Sequence, residues 1–366
     1  MRRIGCLGGG QLGMMLGQAA TDLGVRLVCL DPGAEPPAAR AAGHVRGGFA
    51  DPQAAQRLAE AVDGLVTYEF EHLDLPTVAS IPGEVLPPVA ALATVQDRLR
   101  QKAFLRDLGL PTAPWAPLMH GTDLAAAAAA IPGRGVLKTA RDGYDGKGQA
   151  RLADGAGLPA AWESLGRKPC VLEGFVTFTR ELSLVACRGR DGQCVFWPLA
   201  ENEHRGGILF TSIAPAPGVD ATTQHTAEAM ARRLLEAFAY VGTFTIELFD
   251  TPNGLVVNEV APRVHNSGHW TIEGSATSQF ANHLRALLGL PLGDTAPRGA
   301  CAMVNLVGGL PDPAALLAIP GANLHDYGKD PRPGRKVGHV TLVEPDAEAL
   351  APRLAAVQAL AAAAWR

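Results

Sequence analysis

Several things are missing or scarce in this 366-residue chain. Charged residues make up 19% of it, against a usual share of about 25%. No apolar run approaches the ~18 residues of a membrane span, so no span and no membrane partner are expected. The start, MRRIGCLGGG, lacks the apolar core of a secretory leader, and a cytoplasmic protein is expected. The six cysteines show no CxxC spacing, which argues against a zinc site and for buried thiols in a reducing compartment. A net charge of −4 gives no basic excess for a general nucleic-acid binder. The glycines have no three-residue period, and no internal repeat is found.

Glycine and proline are plentiful, 42 and 28 residues, about a fifth of the chain against a usual ~12%. The length suits two to three domains with large cores. Apolar and helical segments alternate early: a strand from Arg3 to Gly8, a helix Gln11–Leu23, a strand Val25–Asp31, a helix Asp51–Val62 and a strand Leu65–Phe70. This is βαβαβ, implying a parallel sheet. Pro82, Pro87 and Pro88 read as a linker before a helix Gln96–Leu108. Residues 171–213 are strand-rich, with a turn at 189–192. Helices are expected over 125–130, 220–239, 275–288 and 347–365, and tail strands over 302–307 and 339–343.

Three features carry chemistry. Gly8-Gly9-Gly10-Gln11-Leu12-Gly13 follows a strand and opens a helix, with Asp31 ending the next strand. That is the dinucleotide fingerprint, though the same element also binds other phosphorylated ligands or only makes a tight turn. A second glycine loop, Gly143–Gly148, follows Lys138 and carries Lys147. It lacks the Walker GK[ST] ending, and reads either as a phosphate lid or as a solvated turn. Third, Glu247 and Glu259 lie on two strands flanking Thr251-Pro252-Asn253-Gly254. If the turn is centred at residue 253, they stand opposite, with Cβ atoms roughly 4.5–5.5 Å apart. Such a pair needs a shared proton or a cation, and hard oxygens favour Mg²⁺, with Asn258 a further ligand. In another register both face solvent. Lid, lysine and carboxylates together describe a non-Walker ATP site.

These residues resemble the ATP-grasp superfamily, and within it the N5-carboxyaminoimidazole ribonucleotide synthetase family. Nine motifs carry the resemblance in order: GGGQLG (8–13), VTYEFEH (66–72), QDRL (96–99), GYDGKGQ (143–149), EGFVTFTRELS (173–183), ENEHRGGIL (201–209), NEVAPRVHNSGHWTIE (258–273), TSQF (277–280) and YGKDPRPGRKVGH (327–339). The resemblance implies an α/β ATP-grasp fold with a Rossmann-like βαβ domain (1–95), a central ATP-grasp domain (96–290, lid about 134–170) and a small β-rich C-terminal domain (291–366). It implies ATP and Mg²⁺, 5-aminoimidazole ribonucleotide and bicarbonate as small-molecule partners, and a homodimer. The nucleotide would be held by Arg98, Lys138, Gly143, Tyr144, Asp145, Gly146, Lys147, Gly148, Gln149, Glu173, Gly174, Phe175, Val176, Glu181, His204, Asn258 and Glu259. The 173–176 segment would hold adenine through its backbone, and Glu247 with Glu259 would hold the metal. Substrate would meet Gln11, Leu12, Glu69, Arg263, His265, Asn266 and Ser267. Its phosphate would meet Lys329, Arg332, Arg335 and Lys336, so that the first glycine loop holds a nucleotide monophosphate rather than NAD. Tyr144, Asp145, Arg263 and Lys329 are the implied catalytic groups. Read without the family, the 329–336 cations are a solvated loop and His265 and His269 structural histidines. The chain departs from the family pattern at Met14 (Arg expected), Val264 (Pro) and Gly274-Ser275 (Ala-Cys). The rival activities are formate-dependent transformylation of glycinamide ribonucleotide by another ATP-grasp ligase, an NAD oxidoreductase, and a catalytically dead nucleotide-binding module.

Overall fold

The computed structural model describes residues 1–141, 143 and 148–365. Tyr144, Asp145, Gly146 and Lys147 of the expected lid lie outside the described residues.

The N-terminal βαβ pattern folds as read. Five parallel strands run in the order Gly43–Arg46, Val25–Asp31, Arg2–Leu7, Leu65–Tyr68, Glu84–Val85. The helix Gln11–Asp22 buries Leu12, Met15, Leu16 and Ala20, one apolar face at helical spacing. The proline stretch is not a bare linker: it holds the edge strand Glu84–Val85 and a helix Val89–Val95. The helix expected over 96–108 forms as Arg98–Asp107, opening after its cap residue Asp97. Its carboxylate accepts the N–H groups of Leu99 (3.1 Å) and Arg100 (3.3 Å). The same device opens helices at Asp51, Asp74, Asp123, Asp220, Asp312 and Asp346. The helix expected to start at Ser275 begins at Gln279, where the Ser278 hydroxyl accepts the N–H of Ala281.

A four-stranded antiparallel sheet follows, ordered Trp115–Leu118, Cys170–Gly174, Gly135–Thr139, Gln149–Leu152. Between the other elements runs one long sheet, ordered Gly254–Ala261, Gly242–Thr251, Arg180–Arg188, Ala200–Arg205, Ile208–Ala214, Ala300–Val307, Lys336–Glu344, Ala322–Asp326, with Cys194–Phe196 beside Arg180–Arg188. The tail strands are therefore not a separate sheet. Ala300–Val307 pairs antiparallel with Ile208–Ala214. The last helix, Ala347–Ala363, seats Leu350, Leu354, Val357 and Ala361 on this extension.

Candidate active site

The hairpin that carries the two glutamates reaches its register by a detour. Thr251 pairs with Gly254 and Leu248 with Val257, a turn tighter by half a residue than one centred at 253. That register alone would set Glu247 against Asn258. A β-bulge next to Leu248 takes up one extra residue and restores Glu247 opposite Glu259. The repulsion between them is met by a donor on each, a guanidinium on Glu259 and an imidazole on Glu247. Arg98 Nη1 reaches Glu259 Oε2 at 2.8 Å, and His265 Nε2 lies 3.2 Å from Glu247 Oε1. His265 Nδ1 accepts the Ser267 N–H at 3.3 Å, so its proton sits on Nε2, facing the carboxylate. Burial alone would raise the Glu247 carboxyl; His265, His204 and Arg263 outweigh it and hold it below its ordinary range.

Both glutamates line a cavity of about 1000 Å³ between the three sheets. The side-chain Oδ1 of Asn258 is buried without a hydrogen-bond partner and also lines it. An orphaned hard oxygen beside two carboxylates fits a divalent cation such as Mg²⁺. Among the described residues no cluster of three or more His, Cys, Asp or Glu forms a self-sufficient metal site.

On the lid side, Lys138 donates to Glu173 Oε2 at 2.8 Å, and Arg98 Nη2 to the Gly143 carbonyl at 3.1 Å. Gly148 has φ +70°, and a Cβ there would lie 2.6 Å from Thr139 Oγ1. Gln149 pairs with Lys138 across the neighbouring strand and lines the same cavity. Burial would push the Glu173 carboxyl up; Lys138 and Lys102 outweigh it and hold it at about 2. Lys102, not singled out from the sequence, is 2% exposed and 3.2 Å from Glu173 Oε1. Its signal was its place one helical turn after Arg98. The N–H groups of Gly174 and Phe175 already donate to the carbonyls of Pro114 and Arg134 (2.8 and 2.9 Å), which narrows the backbone edge open to adenine. Phe175 and Val176 line the cavity, as do Glu181 and His204. His204 Nδ1 approaches Glu181 Oε2 at 2.8 Å, an ion-pair contact off the line of a hydrogen bond. Against burial, Glu181 raises the His204 imidazole.

At the other end, the first glycine loop is already filled. Glu69 accepts hydrogen bonds from the N–H groups of Gly10 and of Gly13, the latter at 2.6 Å. Asp31, the ribose partner in a dinucleotide site, accepts the N–H groups of Gly9 (3.0 Å) and Gly33 (2.8 Å). The loop donors thus hold a carboxylate of the chain itself, so neither a dinucleotide pyrophosphate nor a monophosphate has the open donors expected there. Gln11, Leu12 and Glu69 still line the cavity, and Lys329 Nζ donates to Gln11 Oε1.

Arg263 is clamped by Glu71, its Nη2 3.0 Å from Oε1 and its Nε 2.5 Å from Oε2. Glu71 stood unremarked inside the 66–72 motif. Asn266 faces the cavity with both amide atoms unpartnered. Ser267 is fully buried behind His265 and bonds its Nδ1 at 2.8 Å; it orients the imidazole and does not line the cavity. Of the other three cations expected at the substrate phosphate, Lys336 lines the cavity, Arg335 turns its guanidinium to the Asp330 carbonyl at 3.2 Å, and Arg332 is exposed outside it.

Three family models divide the chain without overlap: a ribonucleotide synthetase preATP-grasp domain (1–96), an ATP-grasp domain (103–280) and a phosphoribosylaminoimidazole carboxylase C-terminal domain (301–353). The N5-carboxyaminoimidazole ribonucleotide synthase of Pseudomonas aeruginosa is 47% identical over 98% of this chain and 99% of its own. The chain belongs to the N5-carboxyaminoimidazole ribonucleotide synthase family. It is an ATP-grasp ligase acting in purine biosynthesis, which excludes the oxidoreductase reading. The Thermus thermophilus synthetase structure superposes with a TM-score of 0.92 at 49% identity, covering 98% of both chains. An Aspergillus clavatus synthase solved with ADP and 5-aminoimidazole ribonucleotide superposes at 0.90 with 32% identity, covering 98% of this chain and 99% of that one.

The departures from the synthase pattern all fall in packed interior. Met14 (3% exposed) and Val264 (0%) sit in one core cluster with Phe280 and Tyr327, so Met14 takes no cation from the cavity. Gly274 leaves room for Cys301, since a Cβ there would stand 2.5 Å from its sulfur. Ser275 Oγ accepts the Trp197 indole N–H at 3.1 Å.

Proposed function

We propose that this chain carboxylates the exocyclic amine of 5-aminoimidazole ribonucleotide, using ATP and bicarbonate, to give N5-carboxyaminoimidazole ribonucleotide. One observation carries the reading. A single cavity joins a nucleotide-type set (Arg98, Lys138, Glu181, His204, Asn258, Glu259) to a substrate-type set (Gln11, Glu69, Arg263, His265, Asn266, Lys336). The ADP and 5-aminoimidazole ribonucleotide bound by the Aspergillus clavatus relative support the same pairing.

Bicarbonate oxygen attacks the γ-phosphorus; that P–O bond forms as the bond to ADP breaks, giving carboxyphosphate. The amine then takes the carboxyl carbon, directly or as CO₂ freed in the closed site. Phosphate leaves and the amine loses a proton. Glu247, Glu259 and Asn258 would hold Mg²⁺, which neutralises phosphate charge when bound. Lys138 and Arg98 meet phosphate oxygens. Arg263 and Asn266 orient the carboxyl oxygens at the junction, and Lys329 with Lys336 draws in the substrate phosphate. The lid residues Tyr144 and Asp145 orient or deprotonate the amine and keep water from the acyl phosphate. The division at 95/96 and 290/291, a homodimer and a cytoplasmic location belong to this reading; sedimentation tests the dimer.

A coupled ADP-release assay with each candidate substrate tests the function. Release should require 5-aminoimidazole ribonucleotide and bicarbonate together, and Glu259→Ala should lower it at least 100-fold. Formate-dependent release with glycinamide ribonucleotide would overturn the reading in favour of the transformylase.

A further inference from the structure

Behind the cavity lies a buried layer of three imidazoles. The tail strands set Asn305, His339 and His325 opposite one another on one face of the sheet. The His325 and His339 rings stack 4.3 Å apart and 4° from parallel. His269, from the turn that carries Asn266, closes on His339 at 4.8 Å. His269 and His339 are fully buried. His325, at the outer end, is 2.7 Å from Glu273 Oε1.

The middle ring meets a tyrosine. Tyr327 Oη lies 2.7 Å from His339 Nδ1. Burial keeps the phenol protonated and the His339 imidazole neutral. The two are therefore joined as neutral groups, phenol to imidazole.

Tyr327 also has a special place along the chain. Its N–H donates to the Val337 carbonyl at 3.0 Å, the last such tie to the sheet before the clamp loop leaves it. Gly328 follows at φ +64°, then Lys329. Lys329 Nζ passes 5.6 Å from the centre of the Tyr327 ring on its way to Gln11. The ring is wedged in the core with Leu12 and Val264, which belong to the two other substrate-facing segments.

We propose that Tyr327 and His339 are positioning residues: the hydrogen bond between them fixes the tyrosine ring, and the ring aims Lys329 at Gln11 and at the phosphate-bearing end of the substrate. The substrate half of this statement rests on the function proposed above. The imidazole stack holds His339 in place for that bond, and it links the clamp loop to the turn bearing Asn266.

Tyr327→Phe in the full-length chain keeps the ring and its packing and removes only the O–H. The KM for 5-aminoimidazole ribonucleotide should rise about tenfold while kcat and the KM for ATP stay within twofold. Acetylation of Lys329 by acetic anhydride, read by peptide mass spectrometry, should rise severalfold relative to the other lysines. His339→Gln, which retains an acceptor, should preserve both readouts; His339→Leu should behave as Tyr327→Phe. A merely structural role would move kcat, both KM values and melting temperature together, with Lys329 labelling in step with the other lysines. Unchanged KM and unchanged Lys329 labelling in Tyr327→Phe would overturn the proposal. If wild-type protein fails to turn over 5-aminoimidazole ribonucleotide, the functional reading fails, and the labelling comparison alone decides the positioning role.

Discussion

Glu71→Gln is the sharpest test of how the site is held. The change keeps the shape of the side chain and removes the charge facing Arg263. Burial would raise this carboxyl from 4.5, yet Arg263 holds it at about 2. At about 1.4 kcal/mol per pH unit, that difference corresponds to roughly 3 kcal/mol favouring the ionised form. The side chains are 21% and 16% exposed, little enough that solvent screening removes only part of this. The variant also leaves a buried guanidinium without its counter-charge. We expect a loss of about 2–3 kcal/mol in denaturant unfolding at pH 7. The sign of the pH effect follows from the depressed value. The pair stabilises fully above pH 4.5, and its contribution fades as pH falls towards 2. The wild type should therefore lose stability over that window faster than Glu71→Gln. Because Arg263 would swing off its axis, kcat should drop about 100-fold. A stability change below about 0.5 kcal/mol with an unchanged pH profile would refute the reasoning.

Two further outcomes follow. Lys329 is held at about 8 by burial and by Arg335, Lys336 and Arg332, against the pull of Glu69. Its charge is present below that pH and lost above it, so the KM for 5-aminoimidazole ribonucleotide should climb from pH 8 upward, with the KM for ATP flat across the same titration. Gly274→Ala should destabilise the chain by about 1–3 kcal/mol through the clash with Cys301, and Gly274→Ala with Cys301→Ala should recover most of it, as read by thermal melts.

Local pattern was legible and distant partnership was not. Apolar runs at period 3.6 and in short strands placed the βαβ module, the ATP hairpin and the tail helix within a few residues. Gly43–Arg46, Glu84–Val85, Trp115–Leu118 and Ala322–Asp326 were missed, being two to five residues long and bounded by their pairing rather than by periodicity. The opposition of Glu247 and Glu259 was anticipated with the wrong turn centre, and a bulge made it true. The glycine loop looked open because the carboxylate that fills it arrives from 59 residues away. Lys102 and Glu71 both lay within quoted or neighbouring motifs. Only the fold showed that one faces Glu173 and the other grips Arg263.

The long sheet bears on how this enzyme can be cut. A chain ending at residue 290 would keep nearly the whole ATP-grasp region, yet it would strip the Ala300–Val307 partner from Ile208–Ala214. That strand, with Phe210 and Leu209 now buried, would become a bare hydrophobic margin ready to recruit any other extended chain. The C-terminal segment is thus a chaperoning border for the nucleotide half, and the two halves are expected to be expressed together or not at all.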